Sequence, residues 1–266
     1  MIITAETLAA IAGAPVNDNM RSMVSGLRLA GNAAGLNRPV RLAHYLGQTA
    51  HESMGWHYDR EVWGPTAAQK RYEGRKDLGN TQPGDGSRFR GRGGIQITGR
   101  ANYAAFTKWA RERSEASPDF VADPDAVNRD PWEGLGPIWY WDDGNPTGQS
   151  LNVYADANNA EMITRRINGG LNGYADRLAR YTRSALVLLG YGPAEVRRFQ
   201  QDAGFSGKDV DGLAGPATRA ALHRALTASP VVQLTDEMLV AEEPADAHAA
   251  LIAIRNIINE YLEKSA

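Results

Sequence analysis

The 266-residue chain contains no cysteine, which excludes disulfides and cysteine-ligated metals and lets it fold in a reducing compartment. It has no run of about 18 apolar residues, so membrane insertion is not expected. The opening Met1-Ile2-Ile3-Thr4-Ala5-Glu6 has no basic start and no long apolar run, so no signal peptide is expected. A target outside the cytoplasm would then be reached by a separate route. Repeats and low-complexity runs are lacking too. A net charge of −2 with a pI near 6.2 gives no global attraction to polyanions, and no nucleic-acid partner is expected.

What remains is an ordinary soluble composition, 42% hydrophobic and 23% charged. The length suits one domain of nearly 200 residues and a small second one. Charge is spread unevenly. Residues 70–100 hold eight basic and three acidic residues, whereas residues 227–266 hold two basic and seven acidic. The basic stretch suits an anionic polymer, or is simply a solvated surface.

Most of the chain reads as helix. Val40 to Ser53 places Leu42, Leu46 and Ala50 on one stripe before Gly55. Asn102 to Arg113 repeats the spacing with Tyr103, Phe106 and Trp109, and Asp176 to Leu189 with Leu178, Tyr181, Ala185 and Leu188. Ala160 to Ile167 runs into Gly169-Gly170, a C-terminal cap signal. Between Gly74 and Gly99, glycines, Asn80, Pro83 and Asp85 break the period, predicting loop with a short hairpin and an extended Ile95-Gln96-Ile97-Thr98. A boundary near residue 190 divides a catalytic domain, 1–189, from a small unit, 190–226. That unit shows helices over Ala194 to Ala203 and Pro216 to Leu226 around a Gly-Asp-rich turn. Residues 227–266 read as an acidic linker and an amphipathic helix, Ala247 to Leu262, which either docks back or self-associates.

Glu52 ends the first of these helices, on a polar side shared with Tyr45 and Gln48. A carboxyl there faces the negative end of the helix dipole, which disfavours its charged form, as a general acid for glycoside cleavage requires. A capped, solvated glutamate would look the same. Glu61 lies nine residues on. Inverting hydrolysis needs a second carboxylate roughly 6.5–9.5 Å away to activate water, and a short loop could hold Glu61 there. Its neighbour Arg60 could equally make it a surface ion pair. Glu73 is a rival base, but Arg71, Arg75 and Lys76 around it suggest a structural ion pair. In Gly91-Arg92-Gly93-Gly94-Ile95-Gln96-Ile97-Thr98-Gly99-Arg100-Ala101-Asn102-Tyr103, polar Gln96, Thr98 and Asn102 alternate with Ile95 and Ile97, giving a polar wall over an apolar base. The glycines lack the Gly-Lys-Ser/Thr ending of a phosphate loop.

These segments, with His51-Glu52-Ser53-x-Gly55, Tyr72 to Asn80 and Arg166-Ile167-Asn168-Gly169-Gly170, resemble the glycoside hydrolase family 19 domain, particularly its phage endolysin branch, over residues 20–189. The resemblance implies a mainly α, bilobal lysozyme-like catalytic domain that cleaves β-1,4 glycosidic bonds of peptidoglycan with inversion and without metal or cofactor. It assigns Glu52 as general acid, Glu61 as general base and Thr98 as the hydroxyl that holds the attacking water. Gln96, Asn102, Tyr103 and Asn168 fall at substrate-binding positions, and Arg177 resembles an arginine that orders the acidic residues. Met54 stands where that family usually has glycine. Residues 196–222, with Asp211-Gly212-Leu213-Ala214-Gly215-Pro216-Ala217-Thr218, resemble a small three-helix peptidoglycan-binding module, or form a plain structural turn.

The rival enzymes are a chitinase acting on GlcNAc polymers and a zinc amidase or peptidase of the wall peptide. His44, His51 and His57 invite the latter, but they are seven and six residues apart, not arranged as His-Glu-x-x-His. A non-enzymatic wall protein would not need both glutamates and Thr98.

Overall fold

The computed structural model describes residues 1–234. The amphipathic helix read at residues 247–262, with its self-association, lies outside the described residues. The molecule is mainly helical and lysozyme-like. Its helices are α1 (Ala5–Ala12), α2 (Asp18–Ala30), α3 (Pro39–Glu52), α4 (Ala67–Lys70), α5 (Asp85–Arg88), α6 (Arg100–Arg111), α7 (Trp132–Trp139), α8 (Asn152–Asp156), α9 (Ala160–Asn168), α10 (Tyr174–Leu188), α11 (Val196–Asp202) and α12 (Pro216–Ala228).

Two close helix pairs organise the core. α3 packs along α10, and a side chain on Gly47 would lie 2.8 Å from the Tyr181 backbone nitrogen. α2 packs on α7 through Gly26 and Gly134, where a Cβ on Gly134 would fall 1.9 Å from the Ser22 carbonyl oxygen. Glycine is the residue that permits such backbone approach. An aromatic cluster fills the space beside α7: Phe106 stacks on Phe120 at 4.6 Å and lies 5.1 Å from Trp139.

α3 differs from the amphipathic helix its stripe suggests. Every residue from Leu42 to Ala50 is buried, because α8, α10 and α12 all pack on it. Tyr45, read as part of a polar side, is fully buried and lies edge-on to Trp141 at 5.6 Å. The predicted hairpin in 74–99 reduces to isolated bridges, Arg60 to Arg92 and Arg92 to Ile97. Ile95 to Thr98 is not a strand, because Gln96 has a φ of 58° in the left-handed region and turns the chain. The predicted alternation in burial holds all the same: Ile95 and Ile97 are buried, Gln96 and Thr98 half-exposed.

Residues 190–228 form two α-helices and a 3-10 helix, Gly207–Asp209, between them. α12 lies against α3 and α10, burying Leu222 and Leu226 completely. The first residues of the stretch read as a linker are pinned: Val232 N–H donates to the Asn37 carbonyl at 2.8 Å and Gln233 N–H to that of Met1 at 3.0 Å.

Candidate active site

The end of α3 is fixed by its own side chains. Ser53 Oγ donates to the Thr49 carbonyl at 2.7 Å and accepts the Trp56 N–H at 3.0 Å. Met54, Gly55 and Trp56 then take positive φ of 55°, 73° and 59°, which reverses the chain sharply. Met54, at the usual glycine position, thus adopts the backbone conformation that glycine tolerates best. Trp56 is fully buried, and Asn17 and Asn19 both donate to its carbonyl at 3.1 Å. This locked turn sends the following segment back to Gly91, where Glu61 N–H donates to the Gly91 carbonyl at 2.8 Å.

Glu52 is half-buried and ion-paired with Arg177, whose guanidinium is 1% exposed. Arg177 also donates to Gln48 Oε1, and Gln48 Nε2 donates to Thr164 Oγ1 at 3.3 Å. A second pair lies alongside: His51 Nδ1 to Asp176 Oδ2 at 2.6 Å, with Arg180 Nε on the same oxygen at 2.6 Å. Consecutive residues at the end of α3, His51 and Glu52, therefore clasp consecutive residues of the first turn of α10, Asp176 and Arg177. Gly173 sits directly over the imidazole, and a Cβ there would lie 2.2 Å from it. Tyr140 lies beside this junction. Burial and then the nearby Glu52 charge push its phenol up to about 12, and its hydroxyl reaches the Ile167 carbonyl at 3.5 Å, beside Asn168.

Glu61 is half-exposed. Gln69 Nε2 donates to one of its carboxylate oxygens at 3.0 Å, and the Gly91 N–H approaches the other at 3.4 Å. It is not paired with Arg60, which turns to Asp59 at 2.7 Å. Gly91 is also where Gln96 and Thr98 converge: a Cβ there would lie 2.6 Å from Gln96 Oε1 and 3.3 Å from Thr98 Oγ1. Glu61, Gln96 and Thr98 thus surround one glycine. Thr98 Oγ1 donates to the Gln96 carbonyl at 2.8 Å, so the hydroxyl is left as an acceptor. Asn102 Nδ2 donates to the Thr98 carbonyl at 2.8 Å, which leaves its oxygen for a ligand. Asn168 is exposed at the end of α9.

Tyr103 is the site residue that the structure removes. It is fully buried, its hydroxyl donates to the Arg90 carbonyl at 2.7 Å and accepts from Arg92 at 2.8 Å, and burial pushes it up to about 12. It faces inward on α6 and supports the loop rather than a substrate. Glu73 is structural, though not through arginines: its carboxylate accepts the N–H groups of Gly84 at 2.6 Å and Gly86 at 2.8 Å. The histidines lie apart in role. His44 is stacked on Tyr181 in the core at 4.2 Å, His51 pairs with Asp176, and His57 is exposed beside Tyr58.

Sequence reasoning passed over Gln69, Asp176, Tyr140 and Glu133. The first had a signal, because Thr66-x-x-Gln69 has the spacing of a capping box and forms one on α4. Asp176 adjoins the assigned Arg177. Nothing in the spacing marks Glu133, a buried carboxyl on α7 that desolvation, with Asp130 and Asp59 nearby, pushes up to about 8.

No protein-family model matches the chain. Over 175 residues it is 34% identical to a glycosyl hydrolase family 19 domain-containing protein of Haemophilus influenzae, covering 56% of this chain and 80% of that protein. Over 172 residues it is 31% identical to the acidic 27 kDa endochitinase of Solanum lycopersicum, covering 57% of this chain and 64% of that one. In three dimensions it is similar to chitinase C from Streptomyces griseus HUT6037, with a TM-score of 0.55 and 19% identity over 72% of this chain and 78% of that one. A bacterial family 19 chitinase superposes with a TM-score of 0.53 and 21% identity, over 72% of this chain and 96% of that one.

Proposed function

The chain belongs to glycosyl hydrolase family 19, and from that premise we propose that this glycoside hydrolase is an endolysin-type enzyme that cleaves the β-1,4-linked glycan of peptidoglycan with inversion. The catalytic assignment is supported by the resemblance at His51-Glu52 and by the different settings of the two carboxyls. Glu52 is clasped by Arg177, whereas Glu61 is held half-exposed by Gln69 and Gly91 beside Thr98. Glu52 protonates the leaving glycosidic oxygen. A water between Glu61 and Thr98 donates one O–H to the carboxylate and the other to Thr98 Oγ1. That leaves a lone pair of the water for the anomeric carbon, on the face opposite the departing sugar. Gln96, Asn102 and Asn168 hold the sugars, and residues 190–226 hold the wall. The basic stretch 70–100 and the resemblance of the tail to a peptidoglycan-binding module support a wall substrate. The enzyme's place of action is then the bacterial wall, reached through a holin.

A second reading, hydrolysis of GlcNAc polymers, is favoured by the endochitinase among the relatives. One experiment separates the two: digest purified sacculi and chitin oligomers, and identify the new reducing ends by mass spectrometry. New muramyl or glucosaminyl ends from sacculi support the wall reading, whereas products from chitin alone support the second. Proton NMR of the first product should show the α-anomer. Glu52→Gln should lower turnover by at least about 10²-fold while the protein stays folded, the usual loss when a general acid is removed.

A further inference from the structure

We propose that Lys70, Arg71 and Lys76 form a preformed cationic rim that binds the carboxylates of peptide stems on the glycan being cut, and so selects peptidoglycan over neutral chitin. The inference rests on the peptidoglycan reading above and deepens it. All three side chains are exposed, and among the described residues none takes part in a salt bridge, whereas Arg75 between them is paired with Asp77.

The loop that carries them is anchored by its other residues. Glu73 accepts the N–H groups of Gly84 and Gly86. Asn80 is fully buried, donates to the Tyr72 carbonyl at 2.9 Å and accepts the Arg100 N–H at 2.9 Å. Gly79 has a φ of 69° and lies so close to α6 that a Cβ there would be 2.8 Å from that of Ala101. With these polar groups satisfied inward, the cations face outward from a fixed backbone, which lowers the entropic cost of binding a ligand.

The rim is also next to the chemistry. Lys70 follows Gln69, the residue that holds Glu61 at 3.0 Å. Tyr72 lies 6.3 Å from Trp63, within reach of the charges of both Glu61 and Arg75. A glycan passing Glu61 therefore runs close to the rim. In peptidoglycan, alternate sugars carry a stem of several residues with free carboxylates, and four extended residues reach about 13 Å. Chitin brings no such charge. The overall charge of −2 does not attract polyanions in general, so the preference is local to this side of the cleft.

The test compares the full-length enzyme with the triple variant Lys70→Gln, Arg71→Gln and Lys76→Gln. The substrates are soluble uncrosslinked glycan strands with intact stems, and the same strands after their carboxylates are amidated with carbodiimide and methylamine. On intact strands at low salt the variant should lose about tenfold in kcat/KM, the combined effect of three weak, solvent-exposed pairs. The loss should shrink at about 0.3 M salt, where screening is strong. On amidated strands variant and wild type should agree within about twofold, which also shows that the variant is folded. Equal rates of the two proteins on intact strands would overturn the rim and leave the peptidoglycan reading standing. A wild type that cuts neither strand preparation would overturn both.

Discussion

Two carboxyls downstream of Glu52 illustrate how environment decides role. Glu61 is accessible and, among the described residues, its carboxylate has neutral donors, Gln69 and the Gly91 N–H, beside Thr98. Glu73 spends both oxygens on backbone N–H groups. Glu61→Gln is therefore expected to lower turnover by at least about 10²-fold with little change in melting temperature. Glu73→Gln replaces one acceptor with a donor facing an N–H, so it should cost about 1 kcal/mol of stability with a smaller loss of turnover. An inactive but fully stable Glu73→Gln would reverse the assignment of the base. Glu133 is a third case. It is 7% exposed and held up at about 8 by burial, against an ordinary value of 4.5. Between those values the folded protein keeps a proton that the unfolded chain releases, so stability falls as pH rises through that window. The span corresponds to roughly 5 kcal/mol at most. Glu133→Gln, which stays neutral, should raise the melting temperature at pH 9 by several degrees and leave it unchanged near pH 4. An equal shift at both pH values would show that the carboxyl's charge is not the cause.

At the scale of elements, the Glu52 side of the site is a junction between the last turn of α3 and the first turn of α10. His51 and Glu52 clasp Asp176 and Arg177 in parallel, and Arg180 backs Asp176 from the next turn. Asp176 touches no reacting group in this arrangement and acts through the position of its neighbours. Asp176→Asn should lower kcat about tenfold with KM within twofold, because misplacing a catalytic group is costly even when binding survives. Removing His51 as well should add little, since the two act as one unit. Additive losses in the double variant would show that they act separately. Helix placement was legible from sequence because caps and stripes are local: α3, α6, α9 and α10 fall within about two residues of their expected bounds. The Glu52, Glu61 and Thr98 candidates were legible through motif and resemblance. The inward turn of Tyr103 and the full burial of Tyr45 were not, because both depend on which helices cover α6 and α3. Nor was the Gln96 turn, whose alternating neighbours mimic a strand.

For the whole molecule, the question is whether the tail is a tethered binder or part of the catalytic body. The sequence boundary near residue 190 suggests tethering, which would raise the local concentration of the enzyme at the wall without touching its chemistry. The packing adds a second role. α12 covers α3 and α10, the helices that carry Glu52 and Arg177, and buries Leu222 and Leu226 against them. Under this cover lies His44, stacked on Tyr181, with neither ring nitrogen hydrogen-bonded to the described residues. Burial pushes this imidazole down to about 3, so the core depends on its staying neutral and dry. Truncation after Leu189 would open this surface to water. Losing two buried leucines from an interface costs several kcal/mol at the usual area rate, which for a protein of this size lowers the melting temperature by about 10 °C. The truncated chain should therefore melt earlier, yet still cut short soluble glycans at temperatures well below its transition, and it should bind sacculi less well there. The two readouts test different claims. An unchanged melting temperature would show that α12 does not support the catalytic helices. Equal sacculus pull-down by the folded truncated and full-length proteins would show that residues 190–226 do not bind the wall.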